Sequence, residues 1–181
     1  MKGMVFTEFL EMVEDRFGLD MADKIINESD LPSQGVYTAV GTYQPTEMFS
    51  LVANLSKNSG IEVSVLLNVY GEYLFSRFAI GYAKFFTSVN NTFDFLSQIE
   101  NYIHVEVLKL YPDAELPKFE MVTHTSTKLE MIYSSERKLY DFAEGLIIGC
   151  LKHFNEFENT SLNKKLINEN GSKVKFILEK K

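Results

Sequence analysis

Apolar side chains recur every three or four residues from Val5 to Tyr111, and at Lys118 that period gives way to alternation. A helix buries one stripe and needs a period near 3.6, whereas a strand turns successive side chains to opposite faces. The chain therefore reads as helices first and a small sheet afterwards. Val5, Phe9, Met12 or Val13, and Phe17, stopped by Gly18, predict the first helix. Met21 to Asn27 predicts a second, broken by Pro32 and Gly35. Pro45 near a helix start, with Met48, Leu51, Val52 and Leu55, predicts a third that ends at Gly60. Leu67, Gly71, Leu74 and Phe78 mark one stripe of a fourth over Val63 to Ala79, where the glycine leaves room for a close approach to the backbone. Phe93, Leu96, Ile99, Ile103, Val107, Leu108 and Tyr111 predict one continuous helix ended by Pro112.

Lys118 to His124 and Lys128 to Ser134 are β-prone runs separated by Thr-Ser-Thr, the pattern of an antiparallel hairpin. Leu139, Phe142, Leu146, Ile147, Cys150 and Phe154 restore a helical stripe, and Lys173 to Glu179 alternates as a last strand. Glu158 to Ser172 is polar and reads as a loop-rich connection. The expectation is a single α+β domain over residues 1–181, with N-terminal helices and then a small antiparallel sheet with a long helix. Its helical part covers about 1–62 and its second part about 63–181.

Composition narrows the function classes. The 18 Lys and Arg against 25 Asp and Glu give a net charge of -7, where a general nucleic-acid binder needs a surplus of cations. One cysteine, Cys150, excludes an internal disulfide and a multi-thiolate zinc site, and points to a reducing cytoplasmic compartment. No apolar run approaches the ~18 residues of a membrane span, so no membrane partner is expected. Fifteen Phe and nine Tyr with no Trp fit an ordinary aromatic core first, and a pocket for a flat apolar ligand only second.

No Walker loop, GxSxG elbow or HExxH helix is present. His124, at the hairpin turn, and His153, near a helix end, read as surface residues. His104 neighbours the apolar stripe of the helix preceding Pro112, where an imidazole needs partners for its nitrogens; a satisfied core histidine and a metal ligand both meet that need. Tyr133, Ser135 and Arg137 alternate in an extended segment, which would present a phenol, a hydroxyl and a guanidinium to one spot. The set suits a carboxylate. An edge strand with solvated polar residues has the same pattern.

The opening MKGMVF, the histidine in IHVEVLKLYP, the Leu116-Pro117 pair, the YxSxR triplet at 133–137 and the following LYDFAEGLIIG together resemble the heme nitric oxide/oxygen-binding (H-NOX) family, in its bacterial stand-alone form. The resemblance runs over essentially the whole chain in consistent order. It implies an α+β fold enclosing heme b (iron protoporphyrin IX). By resemblance His104 ligates the iron, Tyr133, Ser135 and Arg137 hold the propionates, and Pro117 presses on the porphyrin. Val5, Phe9, Leu74, Phe78, Phe142 and Leu146 match the family's distal gas pocket. Some relatives carry a tyrosine where Phe142 stands, donating a hydrogen bond to oxygen. Tyr140, two residues earlier, is assigned to packing or surface. A zinc site found in certain relatives cannot form with one cysteine.

What the resemblance implies is a gas sensor and not an enzyme. Nitric oxide would bind ferrous iron opposite His104 and weaken the iron-imidazole bond, freeing the His104 helix to move. Nitric oxide and carbon monoxide are the expected ligands, without a stable oxygen complex, and the output would pass to a separate histidine kinase or cyclic-di-GMP enzyme. The rival from another class is a small heme peroxidase or oxygenase, which needs a distal acid or base that these six residues do not supply. A heme-free module for a carboxylated apolar ligand, using Arg137 alone, is the third reading.

Overall fold

In the computed structural model, which describes all 181 residues, four helices come first: α1 (Gly3–Phe17), α2 (Leu19–Glu28), α3 (Pro45–Ser59) and α4 (Val63–Gly81). Gly18 both ends α1 and starts α2 at a φ of 88°, a conformation that side chains rarely tolerate. Pro45 opens α3 where its missing N–H costs nothing, and Gly60 closes it by donating to the Ser56 carbonyl at 2.8 Å. The loop between α2 and α3 is anchored by Glu47, a carboxylate only 2% exposed. It accepts from the Ser33 amide and hydroxyl and from the Tyr37 phenol, so its buried charge has three donors.

Further along lie α5 (Thr92–Ser97), α6 (His104–Leu110) and α7 (Tyr140–His153), with strands β1 (Lys118–His124), β2 (Lys128–Ser134), β3 (Thr160–Leu166) and β4 (Lys173–Lys180). All strand pairs are antiparallel and the order is β1-β2-β4-β3. The α+β expectation holds.

Two cores result. The first gathers Phe6, Phe9, Met12 and Val13 of α1 with Ile25, Leu51 and Leu55, and takes Leu66, Tyr70 and Leu74 from α4. The second sets Leu129, Met131, Val174, Phe176 and Leu178 of the sheet against Ala143, Ile147, Cys150 and Leu151 of α7, with Phe75 and Phe93. Each large side chain taken wholly from water contributes roughly 1.5–3 kcal/mol. Adjacent residues Leu74 and Phe75 thus serve different cores, and α4 runs through both. Where α4 crosses α7 the backbones touch: a Cβ on Gly71 would stand 2.2 Å from the Phe142 carbonyl oxygen, and one on Gly145 2.0 Å from that of Asn68.

Four expectations change. The single helix predicted over Phe93–Tyr111 is α5, a π-helical turn over Ile99–Ile103, and α6. Its widened turn shows in the Ile103 amide, which reaches the Gln98 carbonyl at 3.0 Å, five residues back. Nor is this segment buried: no residue from Ile99 to Leu110 is, and Val105, Leu108 and Leu110 are exposed. Within Glu158–Ser172, read as loop, Thr160–Leu166 forms β3; it is an edge strand facing water over Asn163–Leu166, which is why its sequence looks like a loop. Finally, β2 stops at Ser134, so strand alternation does not extend through the 133–137 triplet. No helix is long and apolar enough to cross a membrane.

Candidate functional site

His104 opens α6 directly after the π turn, with a side chain 15% exposed. Its Nδ1 lies 3.3 Å from Glu100 Oε2. Burial pushes the imidazole pKa below its ordinary value, and Glu100 opposes that shift without cancelling it. Burial thus favours the neutral ring, with Nδ1 on the carboxylate side and Nε2 as the nitrogen left for a ligand. Phe119 sits beside it, ring centroids 6.0 Å apart, and Tyr133 follows at 5.6 Å from Phe119.

That ring pair leads to the triplet. Tyr133 is buried, and its Oη accepts from the Leu139 amide at 3.1 Å. Burial raises the phenol pKa, while Ser135, the Leu139 amide and the Arg137 charge work the other way. Ser135 Oγ accepts from the Arg137 amide at 3.2 Å, folding the chain into a turn whose amide end is held by Ser172 at 2.9 Å. The three residues therefore meet through a turn and not through strand alternation. The Arg137 guanidinium donates to the Glu115 carbonyl at 2.9 Å and to the Glu115 carboxylate. Ser135, Arg137 and Glu115, with Lys118 and Lys173, line a polar cleft of about 360 Å³. Pro117 stands one residue before β1, between Leu116 at the cleft and Lys118.

Val5, Phe9, Leu74, Phe78, Phe142 and Leu146 all join the first core: Phe9 and Leu74 fully buried, the others packed against it, and Leu146 against the second core as well. Sequence reasoning missed Tyr70, which is 1% exposed, stacks on Phe142 with centroids 5.1 Å apart and meets Phe9 edge-on at 5.2 Å. Its place four residues before Leu74 on the α4 stripe was the available signal. The start of α1 is tied to the segment after α6, because Lys2 Nζ reaches Asp113 at 2.9 Å and the Met1 ammonium is perturbed by burial and then by Arg137. Tyr140 is half-buried under Lys164, on the second core. Cys150 is buried, its thiol pKa pushed up by desolvation. His124 is half-exposed near Asp94, and His153 lies exposed against Phe86.

The donor set fits a heme. It supplies one neutral imidazole and a guanidinium that already holds a carboxylate, and no cluster of three His, Cys, Asp or Glu side chains exists that would hold a bare ion. A porphyrin brings four nitrogens of its own, so one protein ligand suffices.

Comparison with known proteins agrees. The family described as Haem-NO-binding matches residues 2–161. The crystal structure of the Fe(II) unliganded H-NOX protein from K. algicida is 45% identical, covering 100% of this chain and 97% of that one, with a TM-score of 0.93. The solution structure of the IWP-051-bound H-NOX from Shewanella woodyi in the Fe(II)CO state is 36% identical over 100% and 95%, with a TM-score of 0.85. At 23% identity, an H-NOX protein from S. oneidensis in the Fe(II)NO state shares the fold, with 100% and 99% covered and a TM-score of 0.87. A comparison with curated proteins finds no match.

Proposed function

Since the chain belongs to the Haem-NO-binding (H-NOX) family, we propose that it is a heme b sensor for nitric oxide, with His104 as the only protein ligand to iron. The observation that carries this reading is the line from a largely buried, neutral imidazole through Phe119 and Tyr133 to a carboxylate-binding Arg137. When bound, a heme would supply an iron that accepts a diatomic gas. Arg137, Ser135 and Tyr133 neutralise and orient the propionates, which are costly to desolvate unpaired. Pro117 would help hold the porphyrin. Val5, Phe9, Leu74, Phe78, Phe142 and Leu146 exclude water from the gas side.

The family consists of gas sensors, not enzymes. The six distal side chains hold no acid or base, which leaves the peroxidase reading without a proton carrier. The signal passes to a separate bacterial histidine kinase or cyclic-di-GMP enzyme, and the lone buried Cys150 supports a cytoplasmic setting.

The test is His104→Gly. The variant is expected to retain heme only with free imidazole as substitute ligand and to lose the ferrous iron-histidine stretching band. An unchanged ferrous spectrum without imidazole overturns the assignment.

A further inference from the structure

Glu100 has two neighbours that no reading of the sequence joined. Its Oε2 accepts the Phe119 amide at 3.0 Å and lies 3.3 Å from His104 Nδ1. Phe119 pairs with Tyr133 on β1, an edge strand, and its N–H points away from β2. Glu100 accepts that amide on the open side of the strand. The carboxylate side chain is 41% exposed, beside a small cleft of about 120 Å³ that it shares with Leu96, Ser97, Asn101, Phe119 and Met121. It keeps its hydration on one side. The imidazole, at 15% exposure, has its Nδ1 3.3 Å from that carboxylate and is flanked by the Phe119 ring.

We propose that Glu100 is the positioning residue of the iron ligand: one carboxylate oxygen shared between His104 Nδ1–H and the Phe119 amide fixes the tautomer and direction of the imidazole and references them to the sheet. This rests on the reading of His104 as the heme ligand. A charged acceptor strengthens the Nδ1–H hydrogen bond relative to a neutral one, and a carboxylate on the far nitrogen of a ligating histidine raises its basicity toward the metal. The π turn contributes by carrying Glu100 while α6 carries His104, so the pair bridges the junction between two helical geometries.

The test uses the full heme-loaded chain with Glu100→Ala, Glu100→Gln and His104→Gly. Resonance Raman of the unliganded ferrous protein reads the iron-histidine stretch. Proton NMR of the carbon monoxide complex reads water exchange at His104 Nδ1–H and at the Phe119 amide. Glu100→Ala is expected to lower the stretching frequency, to speed both exchanges about tenfold and to loosen heme by a similar factor. Glu100→Gln keeps an oxygen acceptor, so it should restore Phe119 protection while leaving the frequency low for want of the charge. This second variant decides the matter if Glu100→Ala does not fold. Faster Phe119 exchange with an unmoved Raman band overturns the proposal, since it means Glu100 only anchors β1. A His104→Gly protein that keeps the band overturns the ligand assignment instead; loss of the band there with no change in either Glu100 variant overturns the positioning role alone.

Discussion

The Tyr70 phenol donates to the main-chain carbonyl of Val5 at 2.5 Å while its ring stacks on Phe142. The one hydroxyl inside the proposed gas wall is therefore committed to holding α4 against α1. Tyr70→Phe removes that hydrogen bond and keeps the ring packing, so it should cost about 1 kcal/mol. Urea unfolding at unchanged m-value measures it, and gas preference should not move.

The same commitment shapes oxygen discrimination. Phe142 carries no donor, and Leu74 offers none either. Omitting one hydrogen bond to a polarised ligand forfeits roughly 1–3 kcal/mol, or about one to two decades in affinity. The ferrous protein is expected to bind nitric oxide and carbon monoxide and to form no stable oxygen complex in air. A persistent oxygen spectrum in the wild type refutes this. Phe142→Tyr should slow oxygen release, a weaker probe because Leu74 offers no second polar group to orient the new hydroxyl.

Arg137 should dominate heme retention. Hydrogen bonds to a charged group are worth about 1.5–3 kcal/mol against about 1 for neutral ones, so Arg137→Ala should lose heme to a scavenger about tenfold faster than Ser135→Ala. Glu115, 82% exposed, pairs with the same guanidinium, and an exposed ion pair contributes about 0–1 kcal/mol. Glu115→Ala should lose heme no faster than wild type. Equal retention by wild type and a Tyr133, Ser135 and Arg137 triple alanine variant sinks the clamp.

Gly71→Ala should lower the melting temperature, because the new methyl would stand 2.2 Å from the Phe142 carbonyl oxygen and force α4 from α7. Overpacking of this kind costs about 1–3 kcal/mol. Gly145→Ala meets Asn68 at the same crossing. Once either substitution has parted the helices the other finds more room, so the double variant should cost less than the sum of the singles.

Periodicity made most elements legible. Pro45 and Gly60 bracket α3 in the sequence as in the fold, and the hairpin residues Lys118–His124 and Lys128–Ser134 match β1 and β2. The β3 strand was hidden because only its inner end is buried, and a π turn leaves no mark in a 3.6-residue pattern that tolerates spacings of three and four. At the site, residue types announced the chemistry of His104 and Arg137. Their partners were not legible: Glu115 and Glu100 are ordinary acids on a polar surface until the fold brings them to a guanidinium and an imidazole. The convergence of Tyr133, Ser135 and Arg137 came from a turn stabilised by Ser172, some 35 residues distant, which local spacing cannot encode.

Both margins of the sheet are guarded. At β3 the exposed Lys164 and Lys165 put charge along the outer margin, with Lys164 bound to Asp141 at 2.6 Å and Glu144 at 2.7 Å. At β1 the register slips between Met121 and Thr123, and the Phe119 amide is already taken. Unpaired strand margins are where folded proteins stack into aggregates, and charge and bulges are the usual protection. Strand-by-strand stacking of two copies would have to bury lysines on one side and bridge an irregular ladder on the other, so this sheet resists fibre-like association even at high protein concentration.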